Sequence, residues 1–221
     1  MMDEIMHYLY IIPCAIIAIV LHELSHGLVS YWLGDPTPKE TGRLSINPSN
    51  HIDIMGAICL VLFGFGWAKP VMVNPSYYRK PKLGMTLVAL AGPLMNFLVM
   101  ILSFFFMWLT LKITIWTNMW DSVLLEIVYN FFDYLAIINL GLGLFNLIPI
   151  PPLDGSKIIG IILPKKAYDE YMGYQRYGIY FMIGFLIIIT VLETLGYPSP
   201  VGMIIDKVFD WFAEITIKIF F

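Results

Sequence analysis

The chain has 221 residues, of which 59% are hydrophobic and 13% charged, and a net charge of −3. Soluble domains carry roughly 45–50% apolar and about 25% charged residues, so this composition excludes an ordinary water-soluble core and makes lipid the expected solvent. The weak negative charge, with no basic stripe, excludes a nucleic-acid binder.

The N-terminus carries Asp3 and Glu4, no basic n-region and no small-residue cleavage site, which argues against a removed signal peptide. Four segments are long and apolar enough to cross a hydrocarbon core, which takes about 20 helical residues. They run from about Tyr8 to Leu33, Gly84 to Leu111, Val123 to Ile148 and Gly178 to Gly196. Helices are expected, because a single chain satisfies its backbone in lipid only as helices or a closed barrel, and strand-like alternation is absent. Cys14 and Cys59 sit in apolar runs without C-x-x-C spacing and read as small buried hydrophobes.

Between the first two spans, Ile54–Trp67 is apolar but short, holds Gly56, Gly64 and Gly66, and reads as re-entrant or interfacial. From Phe65 to Val73 the pattern suits a short strand or hairpin. After Val201, Asp206, Asp210, Glu214 and Lys218 recur every four residues among apolar ones. At helical spacing they form one stripe, so about residues 201–219 make an amphipathic helix that lies on the interface or turns its polar stripe inward.

The expected fold class is an all-α polytopic membrane protein. It has four core transmembrane helices, a re-entrant segment or short β-hairpin, and a C-terminal amphipathic helix, in one membrane-embedded domain with its core at about residues 8–196. If Ile54–Trp67 does not cross, ten of the thirteen basic residues share one face. The positive-inside rule then places that face in the cytoplasm and the N-terminus outside.

His22-Glu23-Leu24-Ser25-His26 carries the strongest chemical signal. On a helix, residues i and i+4 share a face, so both imidazoles can reach one Zn²⁺, with Glu23 beside it as general base. These ionisable groups interrupt an apolar run, and at that depth they are costly without partners. A helix end whose polar side chains reach the headgroups would explain the polarity but not the i, i+1, i+4 spacing.

Catalytic zinc takes three protein ligands and keeps one position open. The extended H-E-x-x-H-x-x-G-x-x-H pattern fails, since positions 29 and 32 are Val29 and Trp32. Asp154, just past the prolines at 149, 151 and 152, is the leading third ligand. The competing reading makes it the N-cap of a helix beginning Gly155-Ser156-Lys157. His51 and Asp53 are rivals, read as polar loop residues. Asn96 and Asn139, within apolar spans, read as packing residues, and Ala89 and Gly92 as points of close helix approach.

Four stretches give the chain a family likeness: H-E-L-S-H-G at 22–27, G-R-L-S-I-N-P-S-N-H-I-D at 42–53, G-W-A-K-P-V-M-V-N-P at 66–75 with A-L-A-G-P-L-M-N at 89–96, and F-N-L-I-P-I-P-P-L-D-G at 145–155. They resemble the site-2 protease family of intramembrane zinc metalloproteases (peptidase family M50), in its short prokaryotic form without a PDZ domain. The resemblance implies His22, His26 and Asp154 as ligands of one zinc ion, Glu23 as catalytic base, and a membrane-dipping hairpin around Ile54–Val73 near the substrate. It also implies substrate or oxyanion binding by Asn146, whose other reading is interhelical hydrogen bonding.

The expected reaction is hydrolysis of a peptide bond in a transmembrane or membrane-proximal segment of another membrane protein, by zinc-activated water with Glu23 as base. The active site lies toward the cytoplasmic side of a prokaryotic cell membrane. The expected partners are that substrate segment and the lipid bilayer, with no nucleic acid and with room for a homo-oligomer. A metal-binding transporter or sensor using the same histidines is the alternative, though it has no need of Glu23 beside the metal.

Overall fold

The computed structural model describes residues 2–56, 68–197 and 200–220. Its helices are α1 (Met2–Trp32), α2 (Thr37–Glu40), α3 (Pro81–Thr117), α4 (Val123–Asn146), α5 (Asp154–Ile158), α6 (Lys165–Gly173), α7 (Gly178–Thr194) and α8 (Pro200–Phe220). No sheet is present among the described residues.

Local chemistry sets the boundaries. α1 gives way at Gly34, where φ is +101°, followed by Asp35-Pro36. Two N-P-S triplets start 3₁₀ turns in the same way: Asn47 Oδ1 accepts from the Ser49 N–H and Asn74 Oδ1 from the Ser76 N–H, both at 3.1 Å. α3 opens on Pro81, and Asn118 closes it in the left-handed region (φ 53°). Ser122 caps α4, accepting from the Leu125 N–H at 3.5 Å.

α1, α3 and α4 form the central bundle. Cys14, Val99 and Leu135, one from each, make one buried cluster. Met100, Phe104, Met107, Ala136 and Leu140 make a second, between α3 and α4. The outer side of α3 leaves Leu94, Leu98, Ile101, Leu102 and Phe105 exposed along one stripe. A contiguous apolar face of this kind is a liability in water and the normal surface of a helix in lipid. The protein is therefore an integral membrane protein.

Three helices among the described residues are long and apolar enough to cross a bilayer: Met6–Trp32, Pro81–Thr117 and Val123–Asn146. The fourth expected span forms as α7, but its 17 residues reach only about 26 Å against a hydrocarbon core of about 30 Å. The re-entrant segment lies mostly outside the described residues, with Cys59. Of the expected hairpin the described part shows one isolated antiparallel bridge, Ile52 to Ala68, with the Lys69 N–H donating to the His51 carbonyl at 2.8 Å.

α8 forms where expected, and of its two expected placements the one with the polar stripe turned inward is not adopted. Ile205, Val208, Phe209, Phe212 and Ala213 lie on the α3–α4 cluster, with the Phe104 and Phe209 rings 5.0 Å apart. Asp206, Asp210, Glu214 and Lys218 are exposed. The apolar side of the helix faces the bundle because the Met100, Phe104, Met107, Ala136 and Leu140 cluster offers it a large burial gain, which leaves the charged stripe outside.

Candidate metal centre

α1 carries His22 and His26 one turn apart, at 5% and 7% exposure, with their rings edge to face at 4.6 Å. α3 passes directly over them. A Cβ on Gly92 would stand 2.6 Å from His22 Nε2 and from His26 Cε1, so only glycine permits this approach. Pro93 follows and withholds an N–H from its own helix, loosening that turn. The close approach expected of Gly92 is thus an approach to the imidazoles themselves.

Asp154 arrives from the other end of the chain. After α4 the backbone turns through Pro149–Pro152, with Pro151–Pro152 in cis, and re-enters helix at α5. The residue in the N-cap position is Leu153, and Asp154 is the first helical residue. Its carboxylate caps nothing and turns to the histidines. Oδ2 lies 3.1 Å from His22 Nε2 and 3.0 Å from His26 Nε2, which are 3.0 Å from each other. Lys157, one turn along α5, donates to Oδ1 at 3.3 Å.

The outward nitrogens decide where the protons sit. His26 Nδ1 is 2.6 Å from the Val88 carbonyl, which can only accept. His22 Nδ1 is 2.6 Å from Asn96 Oδ1. Both Nδ1 atoms therefore donate outward, and each neutral ring presents an Nε2 lone pair to the centre. Three electron-pair donors converge with no hydrogen between them, an arrangement that only positive charge satisfies: a second proton on an imidazole, or a metal cation. Two imidazoles and a carboxylate fit zinc in number and kind. Among the described residues, His22, His26 and Asp154 are the group whose donor atoms converge in this way.

A cavity of about 160 Å³ opens beside the cluster, lined among others by Glu23, Val71, Asn146 and Lys157. Glu23 Oε2 accepts from the Val71 N–H at 3.1 Å, so the extended segment after Ala68 lies against the glutamate. Asn146 Nδ2 donates to the Leu142 carbonyl in its own helix at 3.0 Å. The rivals stay away: His51 is fully buried with Nε2 on the Ser45 carbonyl at 2.6 Å, and Asp53 Oδ1 accepts from the Gly56 N–H. The sequence reading of Asn96 as a packing residue missed its contact with His22; Asn139 meets Asn96 and not the cluster itself. The available signal was an amide inside an apolar span, which is rarely without a partner.

Residues 10–191 match peptidase family M50. YwhC of Bacillus subtilis (strain 168), whose name carries a provisional assignment as a zinc metalloprotease, is 35% identical over 196 residues, 86% of this chain and 87% of its own. Zinc metalloprotease MJ0392 of Methanocaldococcus jannaschii is 28% identical over 160 residues, 68% of this chain and 33% of that longer protein. SACOL1281 of Staphylococcus aureus (strain COL), also provisionally named a zinc metalloprotease, is 28% identical over 138 residues, 59% of this chain and 28% of its own. No solved structure matches the chain. These relatives do not favour the metal-transport reading. The match over most of its length and the membrane-length helices lead to one conclusion: the chain belongs to peptidase family M50 and is a membrane-embedded metalloprotease.

Proposed function

We propose that this protein is an intramembrane zinc endopeptidase, formed as a single membrane domain, that cuts transmembrane or membrane-proximal segments of other membrane proteins. The observation that carries the reading is the convergence of two imidazole lone pairs and a carboxylate beside Glu23 and a cavity. His22, His26 and Asp154 would hold one zinc ion, which supplies Lewis acidity and brings the pKa of water toward 7.

The chain's own residues do the rest. Glu23 takes the proton from the attacking water and returns it to the leaving amine. The Val71 N–H on Oε2 fixes the glutamate's rotamer beside the histidines. Asn146 uses one amide hydrogen on Leu142 and keeps a second for the developing oxyanion. A substrate helix must unwind before its carbonyl is accessible, and pairing as an added strand along the extended segment that includes Pro70–Val73 would hold it open. His26 lies six residues from the end of α1, roughly 9 Å of helix. Together with the basic residues expected on that side, this supports a site toward the cytoplasmic face of the membrane.

Glu23→Gln in the purified, reconstituted protein tests the mechanism. Zinc content is expected to stay at one ion per chain while cleavage of a membrane substrate falls by about 10²–10⁴-fold. Undiminished cleavage would overturn Glu23 as base, and zinc-independent cleavage would overturn the metal centre.

A further inference from the structure

Asn96 and Asn139 are both fully buried, inside α3 and α4, where an amide has no water to turn to. Their contacts form one directional chain. Asn139 Nδ2 donates to the Leu135 carbonyl at 2.8 Å, which leaves Asn139 Oδ1 facing Asn96. Asn96 Nδ2 donates to that oxygen at 2.8 Å and reaches the Ala18 carbonyl at 3.3 Å. Both neighbours of Asn96 Nδ2 are acceptors only, so the amide cannot flip without setting oxygen against oxygen. Asn96 Oδ1 is thereby committed to His22 Nδ1, 2.6 Å away.

We infer that Asn96 is a positioning residue for the metal centre. Held by Asn139, it fixes His22 as the Nδ1–H tautomer with the Nε2 lone pair aimed at the cation. The two histidines differ in this respect. His26 takes its tautomer from a backbone carbonyl, which is always an acceptor, whereas His22 takes it from a side chain whose polarity is set two residues away, on α4. Outer partners of metal-bound histidine fix ring orientation and ligand basicity, and their loss weakens metal binding by about 10–100-fold. The inference rests on the zinc reading above.

The test uses the full chain in lipid nanodiscs, with Zn²⁺ affinity read by chelator competition and the ligand field read from the Co²⁺ absorption spectrum. Asn96→Leu, which removes the acceptor at similar volume, is expected to weaken Zn²⁺ binding about 10–100-fold. Asn96→Asp keeps an acceptor of different strength on His22 and, carrying a proton on the oxygen that faces Asn139 and Ala18, still donates to those two acceptors. It is expected to hold Zn²⁺ within a few-fold of wild type while shifting the Co²⁺ bands, which a residue serving only packing would not do. Wild-type affinity in Asn96→Leu overturns the inference. So does lost affinity or an unshifted spectrum in Asn96→Asp, a variant that decides the matter even if Asn96→Leu fails to fold. If the wild-type chain itself takes up no stoichiometric Zn²⁺, the zinc reading fails instead, and the two failures are told apart.

Discussion

Two buried polar networks sit along α1, and they are built on opposite rules. Just past the end of the helix, the fully buried Asp35 accepts from Ser30 Oγ and the Asn74 N–H, both at 2.7 Å, and from the Thr37 N–H at 3.0 Å. Ser30 in turn accepts from the Tyr78 hydroxyl at 2.7 Å. Each of these contacts pairs a donor with an acceptor, and the result pins the 35–37 turn, the approach to Asn74 and Tyr78 to one helix end. About two turns back, the His22–His26–Asp154 cluster sets three acceptors against each other. A network that closes on itself builds structure. One that stays open by a positive charge builds a binding site.

Substitutions can break that contrast. Asp154→Ala is expected to have the largest effect, weakening zinc binding by well over 100-fold and abolishing cleavage, because it removes a proposed ligand rather than an outer partner. His51→Ala, at the rival buried histidine, should leave zinc content unchanged. The opposite pattern, measured as metal per chain after chelator dialysis, would move the third ligand to the 42–53 segment.

Gly92→Ala should come next, with a loss of about 10–100-fold in zinc affinity. The new methyl would meet the imidazoles at 2.6 Å, and α3 or both rings must shift. Affinity equal to wild type would show that α3 can give way there.

Asp35→Asn should have the smallest effect and a different readout. It is expected to cost about 2 kcal/mol of stability, since an amide replaces one charged acceptor with a donor facing donors, while bound zinc keeps its affinity. Burial raises the pKa of the Asp35 carboxyl, but the hydrogen bonds from Thr37, Asn74 and Ser30 outweigh it and hold it below its ordinary 3.8. A depressed folded-state pKa contributes stability that is present above the unfolded value and lost as the pH falls through the folded one. Thermal unfolding in detergent should therefore lose an increment below about pH 4 in wild type, and Asp35→Asn should lack that increment.

The parts of the site legible in the sequence were those whose chemistry is local. The i, i+4 histidines need only a helix, and the three long apolar helices need only length. Asp154 was legible as a carboxylate after a proline-broken helix end, although the turn that frees it from capping duty was not. Asn96 was not legible as a partner of the cluster, nor Asn139 as the partner of Asn96. Which amide meets an imidazole depends on the register of α3 and α4 against α1, and an apolar span in lipid gives little sequence signal about its inward face. α8 shows the same limit from the other side. Its stripe was evident from the four-residue spacing, but the direction of that stripe was decided by the apolar flank it packs on.

The separation of 132 positions between His22 and Asp154 carries one more consequence. While the chain is being made and inserted, α1 emerges with both histidines and Glu23, a pair of weak metal donors beside a lone base. The third donor follows only after α3 and α4 are in place, so a contact of very high sequence separation is what completes the centre. The three candidate donors can therefore meet only in a chain synthesised past α4, which ties completion of the proposed centre to assembly of the bundle.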